Sequence, residues 1–282
     1  MKYKYSLAYL TIPGTDPVTQ IKIAREAGYD YVSLRTIPMH LPGEPEFLLH
    51  RDEALYNDVR NALSEYDMKL NDIELARIRK DLDIAEYEPA FEKAASLGAS
   101  DVLSSVWTRD REWYTEKTAQ MCRMAKRYGL NVNIEFLPWA GVRNLQEDIT
   151  LVDTLREDGI DNVFIMIDTL HAGRAGVTSE EIKRNTRDRK GISYYRFMHI
   201  CDGPAGPGGD PVLDDINDEL MLHTAREERL YPGEGIMDIR GMTDAAGCET
   251  LSIELPNLSK IQMYSAAVHA ANCINAAKTL LS

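Results

Sequence analysis

The apolar run at 165–167 ends in Asp168, and His171 follows three residues later, within the stretch IMIDTLHAGR. A carboxylate and an imidazole at that spacing, where a strand enters a turn, can converge on one small object. A metal ion, a substrate hydroxyl and a plain hydrogen bond all satisfy the pattern. The same kind of position recurs along the chain. Glu135 closes NVNIEF but for one residue, His199 stands near the end of YYRFMHI, and Glu254 near the end of TLSIEL. Each of the four can ligate a metal. Singly, a strand-end glutamate is commonly a cap or salt-bridge partner, and a histidine beside Phe197 and Met198 is commonly a satisfied core residue. Only a shared frame turns them into a site.

That frame is an alternation of short apolar runs and longer amphipathic stretches. Runs at 5–11, 31–35, 69–78, 101–107, 131–136, 162–168, 194–200 and 250–255 read as strands. The first helix opens with Asp16 as cap and Pro17 in the first turn, and Gly28 ends it. Further helices are expected near 50–66, 85–97, 112–128, 145–158, 178–188 and 258–280. Eight β-then-α units predict an α/β fold, a single (β/α)₈ TIM barrel spanning residues 1–282 as one domain. A doubly wound sheet needs a glycine-rich turn after its first strand, and TIPGTDP is not one. The rhythm breaks once, between the last two runs, where CDGPAGPGGDPVLDDINDEL is dense in glycine and proline. A lid over the barrel mouth and a passive surface insertion both fit it.

In such a barrel, residues at the C-terminal strand ends face one mouth. Glu135, Asp168, His199 and Glu254 then come from four successive strands. Three carboxylates so close repel one another and need protons or a cation to coexist. One divalent ion removes that penalty. A donor set rich in oxygen, with one imidazole and no thiolate, favours Mn²⁺, with Mg²⁺ or Co²⁺ possible, over a structural zinc site.

IEF with Glu135, IDTLHAGR with Asp168 and His171, MHICDG with His199 and IELPN with Glu254 resemble the sugar phosphate isomerase/epimerase superfamily. These are xylose-isomerase-like TIM barrels that include ketose 3-epimerases, inosose dehydratase, 2-keto-inositol isomerase and one class of 3-dehydroshikimate dehydratase. RLYPGEGIMDI (229–239) is similar to the segment before the last strand in many of them. The resemblance implies that Glu135, Asp168, His199 and Glu254 are the metal ligands, that Glu135 and Glu254 also transfer protons, and that His171 holds a substrate oxygen. Ketose epimerases carry an arginine shortly after the ligand histidine. ICDGPAGPGG has none, which leaves Arg174 or Arg229 to replace it.

The chemistry so implied is proton abstraction α to the carbonyl of a keto sugar, keto-inositol or oxidised glycoside. Return of the proton to the opposite face gives an epimerase, and return to the neighbouring carbon an isomerase. Loss of a β-hydroxyl instead gives a lyase, such as a dehydroshikimate or inosose dehydratase or a 3-keto-glycoside-cleaving subunit. A non-catalytic sugar-binding or partner subunit is the alternative of another class. Trp107 and Trp139 follow the fourth and fifth runs and either line the pocket as sugar-stacking surfaces or cap the barrel core. Glu74 has no assigned role, and Glu234 in PGEG reads as structural.

Bulk properties narrow the partners. With 45 acidic against 32 basic residues the formal charge is −13, and the pI is near 5.0. Such a surface disfavours nucleic acid and anionic membranes. No run approaches the roughly 18 apolar residues of a membrane span. Four scattered cysteines without a CxxC pair, and an opening MKYKYSLAYL that lacks a secretory pattern, point to the reducing cytoplasm. No run closes on a lysine suited to Schiff-base chemistry, and the glycine-rich loop leads into carboxylates, so an unphosphorylated polyol or keto-sugar substrate is expected. The final SAAVHAANCINAAK can pack on a second copy, giving a homo-oligomer, or on the barrel itself.

Overall fold

The computed structural model describes residues 3–41, 43–205 and 218–282. Its strands are β1 (Lys4–Leu7), β2 (Tyr31–Arg35), β3 (Lys69–Ile78), β4 (Asp101–Val106), β5 (Asn131–Glu135), β6 (Val163–Asp168), β7 (Tyr195–Ile200) and β8 (Thr250–Ile253). Neighbours pair in parallel, and β1 meets β8 through Lys4 opposite Thr250, so the barrel closes in sequence order. Helices cover its outside, and β4 and β6 are buried along their whole length. That double burial explains why β6, VFIMID, reads as a near-continuous apolar run and not as an alternation.

The helices start where side-chain oxygens satisfy free backbone N–H groups. Asp16 accepts from the Thr19 amide at 3.0 Å to open α1 (Pro17–Ala27). Gly28 ends it with φ 86°, a left-handed turn that costs glycine little. Asp52, Asp110, Asn144 and Thr178 cap α2 (Glu53–Glu65), α4 (Arg111–Arg127), α5 (Leu145–Glu157) and α7 (Ser179–Arg184) in the same way. Between α2 and α4 lies α3 (Glu88–Ser96), after a 3₁₀ turn at Ile84–Tyr87.

Several elements differ from the sequence expectation. The first run stops pairing at Leu7, and Tyr9–Thr11 bend into a 3₁₀ turn, because the chain must turn off the barrel wall toward α1. A short helix, α6 (Thr169–Arg174), follows β6 directly. The interval before the last strand holds α8 (Asp218–Glu227) and α9 (Ile239–Ala246). Residues 206–217 of the stretch read as a lid or insertion lie outside the described residues. The final helix is two, α10 (Leu258–Tyr264) and α11 (Ala266–Leu281), because Ser265 takes φ 74° between them. Alanine-rich α11 buries Ala270, Cys273, Ile274 and Ala277, and Ala270 accepts from the Tyr29 hydroxyl at 2.9 Å.

Register sets the site. Asp168 stands opposite His199, and Ser252 is opposite His199 on the other side, with Glu254 two residues on. Residues i and i+2 of a strand share a face. Met166 and Phe197, two residues before Asp168 and His199, form with Leu75 and Leu103 a small apolar cluster distinct from the main core. It is the floor beneath the mouth. All four cysteines are buried and unpaired, and among the described residues no helix is long and apolar enough to cross a membrane.

One buried ion pair outside the mouth ties α5 to β6 and to the approach of β7. Arg156 Nη1 lies 3.0 Å from Asp188 Oδ2, while Nη2 donates to the Val163 and Ser193 carbonyls at 2.9 Å. Removing one partner strands the other charge. Arg156→Ala is expected to lower stability by about 3 kcal/mol, read as a lower urea midpoint at unchanged slope.

Candidate functional site

Glu135 is the last residue of β5, Asp168 the last of β6, His199 the penultimate of β7, and Glu254 follows the end of β8. Each is at most 6% exposed. One ligand atom from each lies within 4.8 Å of every other. The structure therefore brings all four together at the C-terminal mouth. His171 Nε2 adds itself 3.6 Å from Glu135 Oε1.

Asp168 does two jobs. Its Oδ1 accepts from the Leu170 and His171 amides at 2.8 and 3.0 Å and so caps α6. Its Oδ2 faces the Arg229 guanidinium at 2.5 Å. The IDTLH spacing is thus a strand end, a cap and the first helical turn, which carries His171 to the mouth. The Trp139 ring meets His171 edge to face, with centroids 5.0 Å apart.

Arg229 is 2% exposed and threads the acidic cluster. Its Nη2 lies 2.8 Å from Glu254 Oε2 and 3.4 Å from His171 Nε2, and its Nε donates to the Ala225 carbonyl at 2.7 Å. Asp202 holds the segment that delivers it. The Asp202 carboxylate accepts from the Gly203, Gly233 and Met237 amides, each at 2.9 Å. Gly235 passes so close to Asp202 and the Gly203 carbonyl that any Cβ would collide. Asp202 and Gly235 are the structural content of CDG and PGEG, and the sequence reading gave Asp202 no role.

Charge splits the site. Burial, then Glu254 and Asp168, push the Glu135 carboxyl well above the usual range. Burial also acts on Glu254 and Asp168, but Arg229 foremost holds both below it. Burial works against protonated His199, yet the surrounding carboxylates, Glu254 first, lift it to about 10. Burial lowers His171 to about 4 and leaves it neutral.

The donors fit a divalent cation. Glu135 Oε1 and both His199 ring nitrogens are buried without a hydrogen-bond partner, and Nδ1 lies 3.5 Å from Glu254 Oε2, an ion-pair contact only. Leaving buried polar atoms unsatisfied costs about 1–3 kcal/mol each. A dication held by Glu135, Asp168, His199 and Glu254 would satisfy them and offset the carboxylate repulsion.

Above the quartet the cavity is lined by Trp107, Trp139, His171 and Arg229, and also by Arg35, Glu74 and Arg226. Trp107 is pinned by its Nε1 bond to Ser105 Oγ at 2.9 Å. Glu74 faces the mouth, accepting from the Tyr9 amide at 3.1 Å and from Arg35 at 2.9 Å. Arg174 turns away and donates to the Pro204 carbonyl at 2.8 Å, so it does not line this cavity. Of the two arginines offered by the sequence, Arg229 is the one at the mouth. Glu234 bonds the Tyr231 amide and Lys260 on the outside. Sequence reading gave neither Arg35 nor Arg226 a role: Arg35 closes the second run but is not a metal-ligating type, and Arg226 lies on α8, a helix that was not expected. A larger cavity of about 540 Å³, lined by Thr36, His50 and Tyr87, includes none of the quartet.

A family model described as xylose isomerase-like TIM barrel matches residues 21–265. No curated protein matches the sequence. Among solved structures, the IolI protein with a bound zinc atom superposes with TM-score 0.76 at 20% identity, covering 99% of this chain and 98% of that one. A xylose isomerase domain containing protein from Salmonella typhimurium LT2 gives 0.73 at 17%, over 100% and 98%. D-psicose 3-epimerase with D-tagatose, from Clostridium cellulolyticum H10, gives 0.70 at 14%, over 99% of both chains. At these identities the likeness is one of fold.

Arg229→Met removes the guanidinium from Asp168 and Glu254 and leaves their charges buried. The chelator-treated variant is expected to unfold about 3 kcal/mol more easily than the parent. Added divalent metal should narrow that deficit in a thermal melt.

Proposed function

The chain belongs to the xylose isomerase-like TIM barrel family, and from that premise we propose a divalent-metal-dependent isomerase or epimerase. It acts at the carbon beside the carbonyl of a keto sugar, keto-inositol or oxidised glycoside. One observation carries the reading: a buried quartet of Glu135, Asp168, His199 and Glu254 whose donor atoms converge while several lack a hydrogen-bond partner. The oxygen-rich set favours Mn²⁺, and the similar IolI protein holds zinc. A bound dication supplies a Lewis acid that polarises the carbonyl and offsets the negative charge developing as the neighbouring C–H loses its proton.

The protein's own groups do the rest. β5 and β8 are three strands apart around the barrel, so Glu135 and Glu254 approach a substrate from different sides. One takes the proton, and the other returns it to the opposite face or to the next carbon. Neutral His171, with Nδ1 unpartnered and its ring braced by Trp139, holds a substrate oxygen. Arg229 Nη2, 3.4 Å from His171 Nε2, helps to fix that imidazole. Trp107 and Trp139 present apolar faces to the C–H surface of a sugar. The structure of similar fold that contains D-tagatose, a keto sugar, is in keeping with this class.

Elemental analysis after manganese supplementation should find about one divalent ion per chain, held by these ligands. With keto sugars in deuterated water, label should enter at the carbon α to the carbonyl without loss of mass. Glu135→Gln and Glu254→Gln should each slow that exchange by about 10²–10⁴-fold. Exchange accompanied by loss of water identifies a dehydratase instead. A metal-loaded protein whose two variants match the parent is a binding subunit and not this enzyme.

A further inference from the structure

We infer that the substrate of this mouth carries a carboxylate, and that Arg226 binds it. The inference rests on the metal-dependent reading of the same site and adds the substrate's charge. Three guanidinium groups line the cavity, those of Arg35, Arg226 and Arg229. Two are spent on the protein. Arg229 is clamped between Asp168 and Glu254. Arg35 gives Nη1 to Glu44 at 2.7 Å and Nη2 to Glu74 at 2.9 Å.

Arg226 is different. It stands half-buried in the last turn of α8, one residue after Ala225, which also lines the cavity. Among the described residues its side chain makes no hydrogen bond and no ion pair. Burial foremost, and then the Arg35 charge, work against its charged form, while Glu44 and Glu227 favour it without bonding it. A partly desolvated guanidinium with no hydrogen-bonding partner is costly, and an anion beside it in the cavity relieves that cost. Its planar fork matches a carboxylate with two parallel bonds.

The same surroundings discriminate against phosphate. A dianion is best served by the N-terminus of a helix, where free amides point outward. Arg226 sits at the opposite end of α8, where the helix presents carbonyls and the negative pole. Glu74 and Glu135 line the cavity as well and add to the cost of a second negative charge. A monoanionic acid group, as in a keto sugar acid, fits one unpaired guanidinium.

Calorimetric titration of the manganese-loaded protein tests this with D-fructose, D-fructuronate and D-fructose 6-phosphate. The three share one keto polyol and differ at the far terminal carbon. Fructuronate is expected to bind at least roughly tenfold more tightly than fructose. That ratio should fall toward one in Arg226→Gln and take an intermediate value in Arg226→Lys, which keeps the charge without the fork. Because the ratio is internal to each protein, a general loss of fold does not imitate the result. Equal affinities in the parent, a ratio untouched by Arg226→Gln, or a preference for the phosphate overturns the inference. Metal at one per chain with none of the three sugars bound also overturns it and spares the metal site. If no metal is retained, both readings fall.

Discussion

The structure turns on a repulsion. Three carboxylates and one imidazole are buried within a few ångströms at the open end of a barrel, away from the water that would screen them. Uncompensated charges of one sign in that setting are expensive. The protein answers partly with its own cation, Arg229, whose two Nη atoms serve Asp168 and Glu254. Glu135 is left with an unpartnered oxygen, and its carboxyl is driven upward by burial and its neighbours. What protein groups leave unsatisfied there is what a dication would satisfy.

The surrounding architecture holds that conflict in place. Hydrogen-bonded register between β6, β7 and β8 fixes Asp168, His199 and Glu254 relative to one another, and the cluster that includes Leu75, Leu103, Met166 and Phe197 closes the barrel beneath them. Asp168 is held by the α6 cap as well as by Arg229. The Arg229 segment is in turn fixed by Asp202 and by the clearance at Gly235. Rigid support of this kind keeps donor atoms near one geometry when no ligand organises them.

Much of the barrel was legible in the chain. Buried parallel strands tend to be apolar along their length, so β6 stands out as a run, and caps such as Asp16 and stops such as Gly28 mark helix ends by local chemistry alone. Short or interrupted elements did not stand out. Nothing in SKIQMYSAAVHA reveals that Ser265 breaks the last helix, and α6 is too short to show a period. The segment between β7 and β8 reads as glycine, proline and acid, which hides α8 and α9.

The sequence by itself determined the order of the eight strands, four metal-competent side chains at strand ends, and the acidic balance of the chain. Those follow from periodicity and composition, which are local. Only the tertiary structure decided which arginine enters the mouth. Arg174 and Arg229 are equivalent in the chain, but α6 turns the first toward the Pro204 carbonyl while Asp202 steers the second among the carboxylates. It alone placed Arg35, Glu74 and Arg226 in the same cavity. Their meeting depends on barrel closure and on where loops fold back, and such long-range contacts leave no period or spacing to read.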